Sequence, residues 1–172
     1  AFTIKLFHMT SVILKTWTLF FGFAIICLAH GLQGTLLGIR AIVEGFSFVS
    51  TGFIVAGYYV GYLAGSILIP ILLQRVGHIR VFAALASLAS IAILLHTILL
   101  DPFSWFFIRI ITGISLSGIY VIMESWLNDK STNETRGKIL SIYMIVTFSF
   151  VGLGQFLLNL SDPVKVDLFI LV

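Results

Sequence analysis

Polar side chains recur along one face of a long apolar segment of this chain. Arg109, Gly113, Ser117, Tyr120 and Glu124 follow one another at steps of four, four, three and four residues, which puts them on one side of a helix. Arg109 lies roughly 9 Å inside the nearer end of the segment, at about 1.5 Å per helical residue. A guanidinium at that depth in lipid is costly unless it meets a partner or a water-filled cavity. The spacing therefore predicts a cavity-lining Arg109, with snorkelling to the surface as the alternative.

A histidine and a glutamine in an earlier apolar segment lie at a comparable depth. His30 and Gln33 are one helical turn apart, and they converge with Arg109 if both segments face a common cavity. Histidine titrates near neutral pH, so His30 is a candidate proton carrier. It could instead line the cavity without titrating, or bond to a backbone carbonyl. Gln155 is a further candidate for ligand contact, with hydrogen bonding between helices as the alternative.

The motifs that usually carry catalysis are missing from the sequence. There is no His-Glu-x-x-His, no Gly-x-Ser-x-Gly, no phosphate-binding loop and no pair of cysteines. We therefore predict no catalytic residue, no metal site and no cofactor. No basic run indicates a nucleic-acid partner.

The composition identifies lipid as the solvent for most of the surface. Of the 172 residues, 59% are hydrophobic and 10% are charged, which is too little charge for a water-soluble globular surface. A membrane-spanning helix needs about 20 apolar residues, and these segments lack the alternation of barrel strands. After a tail at 1–15, the predicted helices cover about 16–39, 46–73, 80–100, 103–127 and 138–160, with a sixth starting near 165.

The distribution of positive charge predicts the orientation in the membrane. Seven basic residues fall on one side of the predicted spans and two on the other, so the side with the excess is predicted to be cytoplasmic. We expect a multi-pass protein of the cell (inner) membrane with a cytoplasmic N-terminus. Because the sequence starts at Ala1 and stops at Val172 within an apolar run, we also expect a fragment. The seven are Lys5, Lys15, Arg75, Arg80, Lys130, Arg136 and Lys138, and the two are Arg40 and Lys165.

The segment between the second and third predicted helices resembles motif A of the major facilitator superfamily, Gly-x-x-x-Asp-Arg-x-Gly-Arg-Arg. Arg75 and Gly77 match the Arg and the second Gly of the motif, and Arg80 is displaced by one position. Gln74 replaces the Asp and Pro70 replaces the first Gly. In the fourth helix, Arg109 and the glycine four residues later resemble the core of motif B. The antiporter motif C has no match.

A longer series of residues is similar to the YcaD-like branch of the same superfamily, whose substrates are largely unassigned. The resemblance covers roughly residues 16–172 and implies an all-α membrane protein: the N-terminal six-helix half of a twelve-helix bundle, with the sixth helix truncated. Helices one and four would line a central cavity, and the partners would be the lipid bilayer and a C-terminal half. The matching series comprises Glu124-Ser125-Trp126-Leu127-Asn128, Arg136-Gly137-Lys138, Tyr143-Met144-Ile145-Val146 and Gly154-Gln155.

The resemblance implies a secondary active transporter that moves a small solute by alternating access, with proton coupling. One arginine in the cavity indicates at most an anionic group on that solute. The resemblance also implies a gating latch between Glu124 and either Arg75 or Arg80, with Arg136 near the same end. The alternatives are a Glu124 that reaches interfacial water alone and, for the whole protein, a membrane enzyme or a non-transporting receptor on the same bundle.

Overall fold

The computed structural model describes residues 2–163 and 165–172, with side chains from Trp17 onward. These residues form helices, turns and short connections, without a strand. The helices are α1 (Phe2–Val43), α2 (Phe48–Val76), α3 (His78–Ile98), α4 (Pro102–Lys130), α5 (Arg136–Phe156) and α6 (Asp167–Leu171), and a 3₁₀ turn (Leu157–Leu160) follows α5.

Five of these helices are long and apolar enough to cross a membrane. The candidate spans are Trp17–Val43, Phe48–Val76, His78–Ile98, Pro102–Lys130 and Arg136–Leu160. The prediction of an all-α membrane protein with five spans and the start of a sixth helix is thereby confirmed. One difference lies at the N-terminal end, where the residues predicted as a tail continue the backbone of α1, which begins at Phe2.

The α1–α2, α2–α3 and α4–α5 connections are shorter than predicted, whereas those after α3 and α5 are longer. α2 and α3 are separated by Gly77 alone, which has a φ of 88°, a conformation open to glycine because it lacks a Cβ atom. α4 begins after Asp101, whose carboxylate accepts a hydrogen bond from the Ser104 N–H at 2.8 Å, and Pro102 occupies the first turn. It ends at Lys130, three residues beyond the predicted limit, where the Ser131 hydroxyl donates to the Leu127 carbonyl.

Glycine lets two pairs of helices touch through their backbones. On α2, a Cβ atom added to Gly61 would lie 2.0 Å from the carbonyl oxygen of Ile110 on α4. On α5, a Cβ atom added to Gly154 would lie 2.0 Å from the carbonyl oxygen of Leu28 on α1. The bundle is therefore built from two close pairs, α2 with α4 and α1 with α5, since small residues allow such approach in membranes.

Larger side chains fill the space between the two pairs. The ring of Phe23 on α1 stacks on Tyr143 of α5 with centroids 5.2 Å apart, and meets the edge of Tyr120 on α4 at 5.7 Å. α4 is the most buried span. In its most apolar stretch 61% of the residues are buried, against 17–39% in the other spans. The polar stripe of α4 consequently lies inside the bundle for most of its length.

Candidate functional site

Arg109 is buried beneath an aromatic ring from α2. Its side chain is 8% exposed, and Cζ lies 4.5 Å from the centroid of the Tyr58 ring, a cation–π geometry. Nη1 is buried without a hydrogen-bond partner. Within the part of the chain whose side chains are described, no carboxylate pairs with this guanidinium.

Tyr58 itself is held in place by the close packing of α2 and α4. A Cβ atom added to Gly113, one turn after Arg109, would lie 2.1 Å from the Tyr58 carbonyl oxygen. The ring is 9% exposed. Sequence reasoning missed Tyr58, because an aromatic residue in an apolar helix is usually a packing residue. The available signal was its place beside Gly57 in the repeat of glycines at every fourth position.

His30 reaches the same ring from α1. The His30 and Tyr58 rings are stacked, with centroids 5.8 Å apart and planes inclined by 21°, and His30 Nδ1 is buried without a partner. The structure thus brings His30 and Arg109 together through Tyr58. Gln33 is 3% exposed, and its Nε2, like His30 Nδ1, has no hydrogen-bond partner among the described residues. It lines a gap of about 130 Å³ beside His30 that Arg109 does not line.

The middle of the α4 stripe continues towards the opposite end of the bundle. Ser117 is buried, and its hydroxyl has no partner among the described residues. Tyr120 is half-buried against Phe23. Together with Arg109 and Gly113, these residues make a narrow polar line through an apolar core.

Glu124, at the end of the stripe, opens into a cleft between α4 and α5. The Tyr143 hydroxyl donates a hydrogen bond to Glu124 Oε1 at 3.2 Å, and the Glu124 side chain is exposed. The cleft has a volume of about 570 Å³ and is lined by Val121, Glu124, Ser125, Asn128, Leu140, Tyr143 and Met144.

The predicted partners of Glu124 lie elsewhere in this conformation. Arg75 and Arg80 are exposed, and no ion pair joins either of them to Glu124 in the described region. Arg136 is exposed at the first position of α5, and Gln155 is exposed near the other end of that helix. Among the described residues, no hydrogen bond joins Gln155 to the Arg109 group and no ion pair joins Arg136 to Glu124.

The α2–α3 junction instead reaches α4 through a histidine. His78 Nε2 lies 3.2 Å from Ser125 Oγ and 3.8 Å from Asp129 Oδ2, and the His78 ring lies 5.8 Å from that of Trp126. This contact was not predictable from the sequence, because it depends on the single-residue turn at Gly77. No group of three or more side chains suited to a metal ion occurs among the residues described.

Five helices long and apolar enough to cross a membrane, with a buried arginine on a narrow polar line between them, are typical of a multi-pass membrane protein. Residues 19–160 match the family model of the Major Facilitator Superfamily, and the chain belongs to this superfamily. The segment that resembles motif A, at the α2–α3 junction, and the arginine–glycine pair of α4 both lie within the matched residues.

Curated relatives carry the same family assignment. The chain is 27% identical over 138 residues to the "Uncharacterized MFS-type transporter YcaD" of Escherichia coli O45:K1 (strain S88 / ExPEC). It is 26% identical over 138 residues to the protein of that name from Escherichia coli O139:H28 (strain E24377A / ETEC). The matches cover 80% of this chain and 36% of each relative. The resemblance to the YcaD-like branch is confirmed, and no solved structure matches the chain significantly.

Proposed function

We propose that this chain forms the N-terminal half of a secondary active transporter that moves a small solute across the inner membrane by alternating access. A C-terminal half of similar size would complete the central cavity, and the N-terminus would be cytoplasmic. The relatives named as transporters and the superfamily assignment support the transporter class. The observation that carries the proposal is the buried Arg109 guanidinium, whose Nη1 has no hydrogen-bond partner in the described region.

The energetics of Arg109 favour a site in which the guanidinium binds water or a ligand. An arginine costs about 3 kcal/mol or more at the bilayer centre and less towards the interface, whereas a cation–π contact contributes about 1 to 2 kcal/mol. The Tyr58 ring leaves Nη1 without a hydrogen bond among the described residues. The remaining stabilisation would come from water in the cavity and, during transport, from an anionic group on the solute.

The stacking of His30 on Tyr58 supports proton coupling at the same place. A proton on His30 would add a second positive charge close to the guanidinium, and an anionic solute would reduce the repulsion between them. Binding of the solute and of the proton would then favour each other, which is the requirement for coupled transport. Flux through His30→Gln, measured against external pH, should lose its pH dependence if His30 carries the proton.

The central test removes the charge of Arg109 in the full-length protein. We expect Arg109→Ala to abolish flux of small organic anions in proteoliposomes while the protein still inserts and purifies normally, and Arg109→Lys to restore part of it. Arg40→Gln is the matched control, because Arg40 already pairs with Glu44 at 2.6 Å. Normal flux through Arg109→Ala would reject the site, and an equal loss through Arg40→Gln would show that any lost arginine disables the protein.

A further inference from the structure

Two clefts at opposite ends of the bundle differ in their chemistry. Among the described residues, no acidic or basic side chain lines a cleft of about 540 Å³ near the start of α2. The α4–α5 cleft of about 570 Å³ is lined by the acidic residue Glu124. Both volumes fall within the range of about 300–1,000 Å³ typical of small-molecule sites, whereas the gap of about 130 Å³ beside His30 does not. The uncharged cleft is lined by Gly34, Thr35, Gly38, Ile39, Ile42, Phe46, Phe48 and Thr51.

We propose that the α4–α5 cleft is a binding site for an organic cation, with the Glu124 carboxylate as its counter-charge. The proposal goes beyond the transport function and does not rest on it. It is carried by the cleft, by the exposed carboxylate inside it and by the hydrogen bond that fixes this carboxylate.

Tyr143 orients the carboxylate towards the open cleft. The Tyr143 side chain is 2% exposed, and its hydroxyl donates to Glu124 Oε1 at 3.2 Å. A carboxylate has about four lone-pair sites, so this bond leaves most of its accepting capacity for a ligand. Because Tyr143 also stacks on Phe23, its ring is held from behind and cannot turn away without disturbing the core.

The remaining lining groups favour a cation with an apolar body. The side-chain oxygens of Ser125 and Asn128 are able to accept hydrogen bonds, and Val121, Leu140 and Met144 supply an apolar wall. No lysine or arginine from the described part of the chain lines the cleft. An anion would meet the Glu124 charge directly, and a purely apolar molecule would cover the carboxylate without a partner, which carries a desolvation penalty.

This site is separate from the Arg109 group. Arg109 and Glu124 are 15 residues apart on α4, roughly 22 Å along a helix. One small solute therefore does not bridge them. The two ends of the stripe therefore offer opposite charges to different ligands.

A pair of probes with the same shape and opposite charge tests the proposal. Radiolabelled tetraphenylphosphonium and tetraphenylborate would be dialysed against the full-length protein in nanodiscs, with empty nanodiscs subtracted. We expect saturable binding of tetraphenylphosphonium and none of tetraphenylborate. Glu124→Gln should weaken the phosphonium binding about tenfold, the factor equivalent to about 1.4 kcal/mol, whereas Glu124→Asp should retain most of it.

The matched control is Asp129→Asn, which removes an acid close by on the same helix that does not line the cleft. This variant should bind the phosphonium ion as the unchanged protein does. Three results would overturn the proposal: no saturable phosphonium binding, unchanged binding in Glu124→Gln, or an equal loss in Asp129→Asn. The Tm of Glu124→Gln, measured beside those of Glu124→Asp and the unchanged protein, distinguishes a folding defect from loss of the charge.

Discussion

Tyr58 joins three helices around one charged group. Its ring receives His30 from α1 and Arg109 from α4, and its carbonyl lies against Gly113. A phenyl ring keeps the face that attracts a cation, whereas an aliphatic side chain of similar volume does not. The contact of the guanidinium is with the ring face, so the role of Tyr58 in orienting Arg109 is separable from its hydroxyl.

We therefore expect Tyr58→Phe to support flux close to that of the unchanged protein, and Tyr58→Leu to reduce it about tenfold. That factor corresponds to losing a cation–π contact of about 1 to 2 kcal/mol. The measurement is initial flux in proteoliposomes at several solute concentrations, with the amount of inserted protein determined for each variant. Equal flux through the leucine and phenylalanine variants would show that the ring face does not orient Arg109.

The position of Arg109 was predictable from the sequence, whereas the contacts of Tyr58 and His78 were not. The depth of Arg109 and its place on a polar face of α4 follow from composition and helical period. The part played by Tyr58 does not, because it depends on a close approach of α2 to α4 that has no local signature beyond glycine spacing. His78 was missed for a similar reason, since its contact with Ser125 depends on the turn at Gly77.

At the scale of the helix, the start of α4 depends on an exposed carboxylate. Hydrogen bonds from Ser104 hold the pKa of the Asp101 carboxyl below its usual value of 3.8. Because the Asp101 pKa is lower in the folded than in the unfolded state, the cap contributes its full stabilisation above the unfolded-state pKa. This stabilisation is lost as the pH falls through the folded-state pKa. We expect Asp101→Ala to lower the Tm in detergent at neutral pH and to remove this acid-dependent loss. A Tm profile identical to that of the unchanged protein between neutral and strongly acidic pH would contradict the cap.

The pairing of α2 with α4 gives a second prediction for the helices. A methyl group at Gly61 would meet the Ile110 carbonyl at 2.0 Å, whereas one at Gly52 on the same helix would meet nothing within 4 Å. Overpacking of this kind costs about 1 to 3 kcal/mol. Gly61→Ala should therefore lower the Tm and the yield of monodisperse protein, and Gly52→Ala should leave both unchanged. Equal behaviour of the two variants would show that α2 and α4 separate easily.

The element boundaries were predictable to within a few residues where charge ends an apolar run. They were less predictable where a cap or a turn decides the limit, as at Ser131 and Gly77. The helix pairs were not predictable from the runs themselves. The length and hydropathy of an apolar segment do not determine which helix it packs against. In this bundle the pairs form where glycines allow two backbones to touch.

For the whole molecule, alternating access requires contacts that exist in one state and are absent in another. In this conformation Glu124 accepts from Tyr143 and lines an open cleft, while Arg75 and Arg80 are exposed. The α2–α3 junction is held to α4 through His78. The predicted latch would therefore belong to a different state of the proposed cycle. In that state the α2–α3 junction would move, and Arg75 or Arg80 would form an ion pair with the Glu124 carboxylate.

Charge reversal distinguishes such a latch from a Glu124 that reaches water alone. Glu124→Arg and Arg80→Glu should each reduce flux, because each puts two like charges where the latch would close. The double variant restores opposite charges in exchanged positions, and we expect it to recover a measurable part of the flux; the same cycle with Arg75 identifies which arginine is the partner. Recovery in one cycle and not in the other assigns the latch, since nonspecific repair would not depend on the partner chosen. If neither double variant recovers flux while all variants are folded and inserted, Glu124 does not form the predicted latch with Arg75 or Arg80.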